Sequence, residues 1–391
     1  MSATDRPGPA APIRHPGPPA ETPSGEAAHH GAERLRHVSL PGVTLAVRSL
    51  ARQRPDLPPA LFVHGLGGSS LNWSALMARL AEEVDGEALD LPGFGHSPPP
   101  DNRDYSISGH ARAVIRYLDA SGRGPVHLFG NSMGGAVATR VAALRPDLVR
   151  TLTLVSPALP ELRPQPTAWP TALLAVPGAA RLFGRVTRHW TAERRTREAL
   201  RLCYGDPSRV TPEEFAAAVR EYERRLALPY FWDALARSAR GIVDAYTLGG
   251  QHALWRQAER VLAPTLLVYG GRDRLVSFRM ARRACRAFRD SRLLALPAAG
   301  HVAMMEHPDA VASGFRRLLA DVTRRAGAAR RRVDSGAATE QTAQTEQTEQ
   351  TEKTGDGADG MRARPGVGAE AATHIPVHPK GESERGTSQP S

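Results

Sequence analysis

Between residues 44 and 296 short apolar runs recur along the chain: Thr44–Leu50, Ala60–Val63, Glu87–Leu91, Val126–Phe129, Thr151–Val155, Thr265–Tyr269 and Arg292–Leu296. Most are rich in Val and Leu, and stretches with helical spacing separate them. Strands that stay apolar on both faces and alternate with helices belong to a sheet covered on both sides. The pattern therefore predicts an α/β fold built on a mostly parallel, doubly wound sheet. Ligands of such sheets bind in the crevice at the carboxyl ends of the strands.

One connection breaks the alternation. After Val155 the sheet is not re-entered until Pro264, whereas an ordinary crossover needs about a dozen to thirty residues. An inserted helical cap over residues 157–263 is the economical reading, with the core divided into 35–156 and 264–326. The cap gathers Trp169, Leu173, Phe183, Trp190, Phe215, Tyr222, Phe231, Trp232 and Trp255 in a chain only 5% aromatic. These side chains either line an apolar pocket over the site or form the cap's own small core. Arg181, Arg185, Arg188, Arg194, Arg195, Arg197 and Arg201 cluster there at or near helical spacing. A solvated helix face is the commoner meaning of such a run, and a basic amphipathic lid touching an anionic membrane is the alternative.

Beyond the core, residues 1–34 are rich in Pro, Gly and Ala without periodicity. Residues 327–391 carry Arg330–Arg332 and a Thr-Glu-Gln tract. Neither has enough apolar side chains to offset ordering, so both are expected to be disordered arms.

The chain has 391 residues and a formal net charge of +11, the length of one core plus a cap. The charge raises nucleic acid as a partner, but no nucleic-acid motif or interleaved aromatic platform accompanies it, and none is expected. Cys203 and Cys285 are the two cysteines, with neither a disulfide framework nor metal spacing. Together with the absence of an apolar run near Met1, this leads to the expectation of a cytoplasmic protein without metal or organic cofactor.

Candidate chemistry begins at Gly130-Asn-Ser132-Met-Gly134. An apolar strand, Gly-x-Ser-x-Gly and a small-residue helix follow one another without a gap, the context of a nucleophile elbow. The elbow holds Ser at the apex of a sharp turn, and the positions two before and two after it have no room for side chains. A Ser hydroxyl needs a base. Downstream, a buried-type strand delivers Asp273, and a helical stretch and a second strand then lead to Gly300-His301. One helix and one strand suffice to bring Asp273 and His301 to the edge where Ser132 emerges. His301 would take the Ser132 proton while Asp273 fixes the imidazole tautomer. Asp244, near the return from the cap, is the reserve candidate for the acid. Upstream, the strand ending at Val63 runs into His64-Gly-Leu66-Gly-Gly68, a turn able to aim a backbone N–H at a reacting carbonyl oxygen. The Leu66 amide is the expected donor and Met133, after the nucleophile, its companion. His64 is expected to order this loop and Asp90 to stabilise a turn.

His64-Gly-Leu-Gly67, Asp90-Leu-Pro-Gly-Phe-Gly-His-Ser97, Gly130-Asn-Ser-Met-Gly-Gly135, Gly271-Arg-Asp273 and Gly300-His301 with Glu306-His-Pro308 together resemble the α/β-hydrolase fold family, in its lipase- and esterase-like branch with a helical cap. The resemblance implies a carboxylic ester hydrolase acting on a small or medium apolar substrate through an acyl-enzyme. Carbon–carbon hydrolysis of ring-cleavage diketones stays open, although that branch places Trp after the catalytic His, where this chain has Val302. Perhydrolase chemistry, peptide-bond cleavage by an aminopeptidase and a non-catalytic ligand-binding protein are further alternatives.

Overall fold

The computed structural model describes residues 33–51, 54–161, 163–247, 249 and 253–328. The remainders of the two expected arms, 1–32 and 329–391, lie outside the described residues. Residues 326–391 form a unit of their own, of which 326–328 are described and helical.

Eight strands form one sheet: β1 Glu33–Leu40, β2 Val43–Leu50, β3 Pro59–Val63, β4 Asp85–Leu89, β5 Val126–Asn131, β6 Val149–Val155, β7 Thr265–Gly270 and β8 Ser291–Leu296. Their order is β1-β2-β4-β3-β5-β6-β7-β8. β1 pairs with β2 and β2 with β4 antiparallel, and all pairs from β4 to β8 are parallel. The fold is the expected α/β architecture.

Alternation along the buried strands divides two cores. In β3, Leu61 and Val63 face one side while Ala60 and Phe62 face the other, and in β7 Leu267 and Tyr269 are opposite Leu266 and Val268. The first side is covered by α2 (Ile107–Ser121), α3 (Met133–Leu144), α9 (Leu254–Ala258) and α10 (Met280–Ala287). The second is covered by α1 (Ser74–Arg79), α11 (Ala303–Glu306) and α12, which begins at residue 308. With both faces buried, the run-like apolar pattern of the central strands is what the packing requires.

β1 has no counterpart among the apolar runs. It is an edge strand, mostly exposed, with the sequence Glu-Arg-Leu-Arg-His-Val-Ser-Leu, and an edge with solvent on its outer side needs no apolar alternation. Gly42, at φ 77°, makes the turn that folds it onto β2. β4 also ends two residues earlier than its apolar run; just past it the Asp90 amide still donates to Ala46 O of β2 at 2.9 Å, while its carboxylate accepts the Ser70 amide at 2.6 Å and the His96 amide at 2.8 Å.

Between β6 and β7 the chain forms α4 (Trp169–Leu173), α5 (Ala179–Val186), α6 (Ala192–Cys203), α7 (Pro212–Leu226) and α8 (Phe231–Thr247) before α9. Thr191 and Thr211 cap α6 and α7, each accepting a backbone amide three residues on, and Glu214 completes a capping box. Five aromatic residues of this segment, Phe183, Trp190, Tyr222, Phe231 and Trp232, pack on one another. Phe231 lies 5.0 Å from Trp232 and 6.3 Å from Tyr222, and Phe183 lies 5.8 Å from Trp232 and 6.4 Å from Trp190 between ring centroids. These contacts make a small aromatic cluster around buried Phe231, from which Phe183 emerges 43% exposed, and Trp169 is 57% exposed.

Candidate active site

β5 ends at Asn131 and α3 begins at Met133, so the whole reversal falls on Ser132, at φ 52° and ψ −117°. This is a strained position for a residue with a Cβ. It is held from both sides: the Ser132 amide donates to Val155 O at 3.0 Å, while its carbonyl accepts from Ala136 and Ala158 at 3.1 and 2.9 Å. Backbone bonding thus leaves the hydroxyl as the group that projects. Close crossing explains the flanking glycines. A Cβ on Gly130 would lie 2.5 Å from Gly134 O, and one on Gly134 would overlap the Val63 and His64 carbonyls.

The loop after β3 lies against this turn. A Cβ on Gly65 would sit 3.1 Å from Ser132 Cβ, which brings Leu66 alongside the elbow. Among the described residues, neither the Leu66 nor the Met133 backbone N–H has an acceptor. Two unpaired donors beside one serine are the arrangement that an oxyanion would complete. His64 orders the loop as expected. The Leu91 amide donates to its Nε2 at 2.9 Å, so the proton sits on Nδ1, which donates to Gly65 O at 2.7 Å. Burial lowers its pKa despite the neighbouring Asp90 charge, and both ring nitrogens are already engaged.

Asp273 and His301 meet. His301 Nδ1 lies 2.9 and 3.1 Å from the two Asp273 oxygens, with the side chains 5% and 1% exposed. Such burial normally favours the neutral acid. Here burial pushes the Asp273 carboxyl up, but the His301 charge and hydrogen bond and the Val276 amide overcome it and leave the pKa below the usual carboxylate value. The Leu275 and Val276 amides, at 2.8 and 2.9 Å, fix the same oxygen. Asp244 is exposed on α8, and the carboxylate that pairs with His301 is that of Asp273.

Several residues that hold these loops carried no signal in the sequence. Asn131 Nδ2 donates to Val155 O at 3.1 Å and to His301 O at 3.0 Å, tying the elbow to the histidine loop. Glu306, noticed only as part of a motif, is buried and accepts the Gly300 amide at 2.6 Å and those of Gly205 and Asp206 at 2.9 and 3.1 Å. The His301 amide donates to Cys203 O at 2.7 Å. Gln165 Nε2 donates to Asp273 O at 2.8 Å. Arg225 of α7 reaches Gly67 O on the Leu66 loop and pairs with Glu221 at 3.2 Å, while Arg224 donates to Gly95 O at 3.0 Å. The segment between β6 and β7 is therefore hydrogen-bonded to the loop of each candidate residue that follows a strand end. Burial, with the nearby Asp273 and Glu306 charges, pushes the Cys203 thiol up to about 12, which keeps it protonated and unreactive. Among the described residues no group of three or more His, Cys, Asp or Glu is placed to hold a metal ion.

A serine on a strand-to-helix elbow, with a buried His–Asp pair fastened beside it at the carboxyl ends of a parallel sheet, is the arrangement of a hydrolase. The profile of the alpha/beta hydrolase fold matches residues 58–308, and the chain belongs to that family. Among its relatives, the pimeloyl-acyl-carrier-protein methyl ester esterase of Neisseria meningitidis is 28% identical over 275 residues, 68% of this chain and 95% of its own. The dihydrolipoyllysine-residue acetyltransferase component of the acetoin cleaving system of Pseudomonas putida is 31% identical over 266 residues, 65% of this chain, which spans 61% of that protein's length. In structure, the meta-cleavage product hydrolase of Pseudomonas fluorescens superposes with a TM-score of 0.59 at 20% identity, covering 73% of this chain and 98% of its own.

Proposed function

We propose that this α/β-hydrolase is a serine esterase that cleaves a carboxylic ester of a small or medium apolar substrate in two steps. The observation that carries the proposal is the buried His301–Asp273 pair at 2.9 Å, whose loop is tied to the elbow because Asn131, the residue preceding Ser132, donates to His301 O at 3.0 Å. His301 takes the Ser132 proton through Nε2 as the hydroxyl oxygen bonds to the ester carbon. Its Nδ1–H stays on Asp273, which stabilises the imidazolium. The carbonyl oxygen becomes an oxyanion facing the free Leu66 and Met133 amides, each donor contributing on the order of 3 kcal/mol in the transition state. The imidazolium returns its proton to the leaving alcohol, and the acyl group remains on Ser132. Water then gives a proton to His301, attacks the acyl carbon and releases the acid, restoring the serine. The methyl ester esterase relative supports an ester as the substrate class.

Ser132→Ala should abolish turnover of short p-nitrophenyl esters and covalent labelling by a fluorophosphonate, with the unfolding midpoint retained. Unchanged turnover would remove Ser132 from the chemistry. Absence of labelling in the folded wild-type chain would favour a binding protein. Dienolate absorbance and its decay on adding a ring-cleavage diketone would redirect the reading to carbon–carbon hydrolysis.

A further inference from the structure

Twelve large apolar side chains are exposed among the described residues, and six of them fall between residues 169 and 186: Trp169, Leu173, Val176, Leu182, Phe183 and Val186, each 43–62% exposed. The distribution follows from how the two helices sit. α5 packs its small side on α8: Ala180 and Thr187 are buried, and a Cβ on Gly184 would lie 3.1 Å from the Trp232 ring. At about 100° per residue, Leu182 and Val186 then point away from α8. The end of α4 is tied to the same helix, Arg240 donating to Ala175 O at 2.9 and 3.0 Å. The segment thus spends its smallest residues on packing and leaves its largest apolar ones in water, the reverse of what a folded helix does for its own stability.

Charge follows the same division. From Leu162 to Ala192 there is no Asp or Glu, and the charged residues are Arg163, Arg181, Arg185 and Arg188. Arg181, Arg185 and Arg188 are exposed, with no ion pair among the described residues. The arginines of the next helix are engaged within the segment: Arg197 pairs with Glu193, Arg201 with Glu198, Arg194 lies 4.2 Å over the Trp190 ring, and Arg195 is buried against the Thr187 and Trp190 carbonyls. No helix among the described residues is long and apolar enough to cross a membrane. Exposed Leu, Val, Phe and Trp interleaved with unpaired arginines and free of acids match the interfacial zone of an anionic bilayer, where acyl chains take the apolar groups and phosphates the guanidinium groups.

We propose that the outer face of α4 and α5 docks this protein on the surface of a membrane containing anionic phospholipid. Its neighbour is the candidate site, because Gln165 and Thr167, just before α4, donate to the Asp273 and Arg274 carbonyls.

The test is co-sedimentation of the full chain with vesicles of equimolar phosphatidylglycerol and phosphatidylcholine, and with vesicles of phosphatidylcholine alone. Binding to the first and much weaker binding to the second is expected. The double variant L182D/V186D should lower the partition coefficient at least about tenfold, and R181Q/R185Q/R188Q should lower it and flatten its salt dependence. Circular dichroism and the unfolding midpoint should match wild type in both, since all five side chains are exposed. Binding that survives L182D/V186D unchanged would assign it to the overall positive charge and overturn the proposal. So would no binding to anionic vesicles, or self-association that the same double variant abolishes, which would make a second copy of the chain the occupant.

Discussion

Replacing Glu306 by Gln removes a charge and hardly any volume, which makes it a sharp test of what holds the histidine loop. One carboxylate oxygen accepts two amides, Gly205 at 2.9 Å and Asp206 at 3.1 Å, and the other accepts Gly300 at 2.6 Å. All three are donors. A glutamine offers one acceptor oxygen and one NH2, so in either orientation at least one backbone N–H faces another donor. An unsatisfied buried donor costs about 1–3 kcal/mol, and the surviving bonds lose their ionic character, worth about 1 kcal/mol more. The expected destabilisation is thus about 2–4 kcal/mol, read as a shift in urea midpoint at constant m-value. Gly300 precedes His301, so kcat on a soluble ester should also fall with KM little changed. A midpoint within about 0.5 kcal/mol of wild type, together with unchanged kcat, would refute Glu306 as the clasp.

Asp273→Asn keeps the shape of the pair but offers an N–H where His301 Nδ1 needs an acceptor, so kcat should fall on the order of 10³–10⁴-fold in steady-state assays. Gly134→Ala places a methyl group on the Val63 and His64 carbonyls, and denaturant titration should show a loss of about 1–3 kcal/mol. His110 and His127 are buried, with pKa lowered chiefly by burial to about 3 and about 4. Their unfolded forms take up protons below about pH 6.5 and their folded forms do not, so stability falls as pH drops from there. Each contributes a slope approaching about 1.4 kcal/mol per pH unit down to its folded pKa. Urea midpoints that stay constant between pH 7 and 5 would contradict this sign.

How much of this was legible in the sequence depended on the distance between the parts. Gly130, Ser132 and Gly134 sit within one turn, so their steric requirement is written in adjacent positions. Asp273 and His301 are separated by one helix and one strand, whose periodicities can be counted. β1 was not legible, because its pattern answers to solvent on an open edge. Asn131, Glu306, Gln165 and Arg225 were not legible for another reason: each also bonds a partner 100 to 170 positions away, which only the assembled sheet brings within hydrogen-bond range.

By itself the sequence determined the α/β class, the strained elbow and the order of Ser132, Asp273 and His301, because local sterics and periodicity act through neighbours in the chain. The tertiary structure alone decided that Asp273, not exposed Asp244, faces His301, and that the segment between β6 and β7 is hydrogen-bonded to the loops that carry the candidate residues. It also decided which way the cap's apolar residues point. The rotation of α5 about its axis is set by Gly184 fitting against Trp232, a contact 48 positions apart, and that fit turns Leu182 and Val186 outward into water.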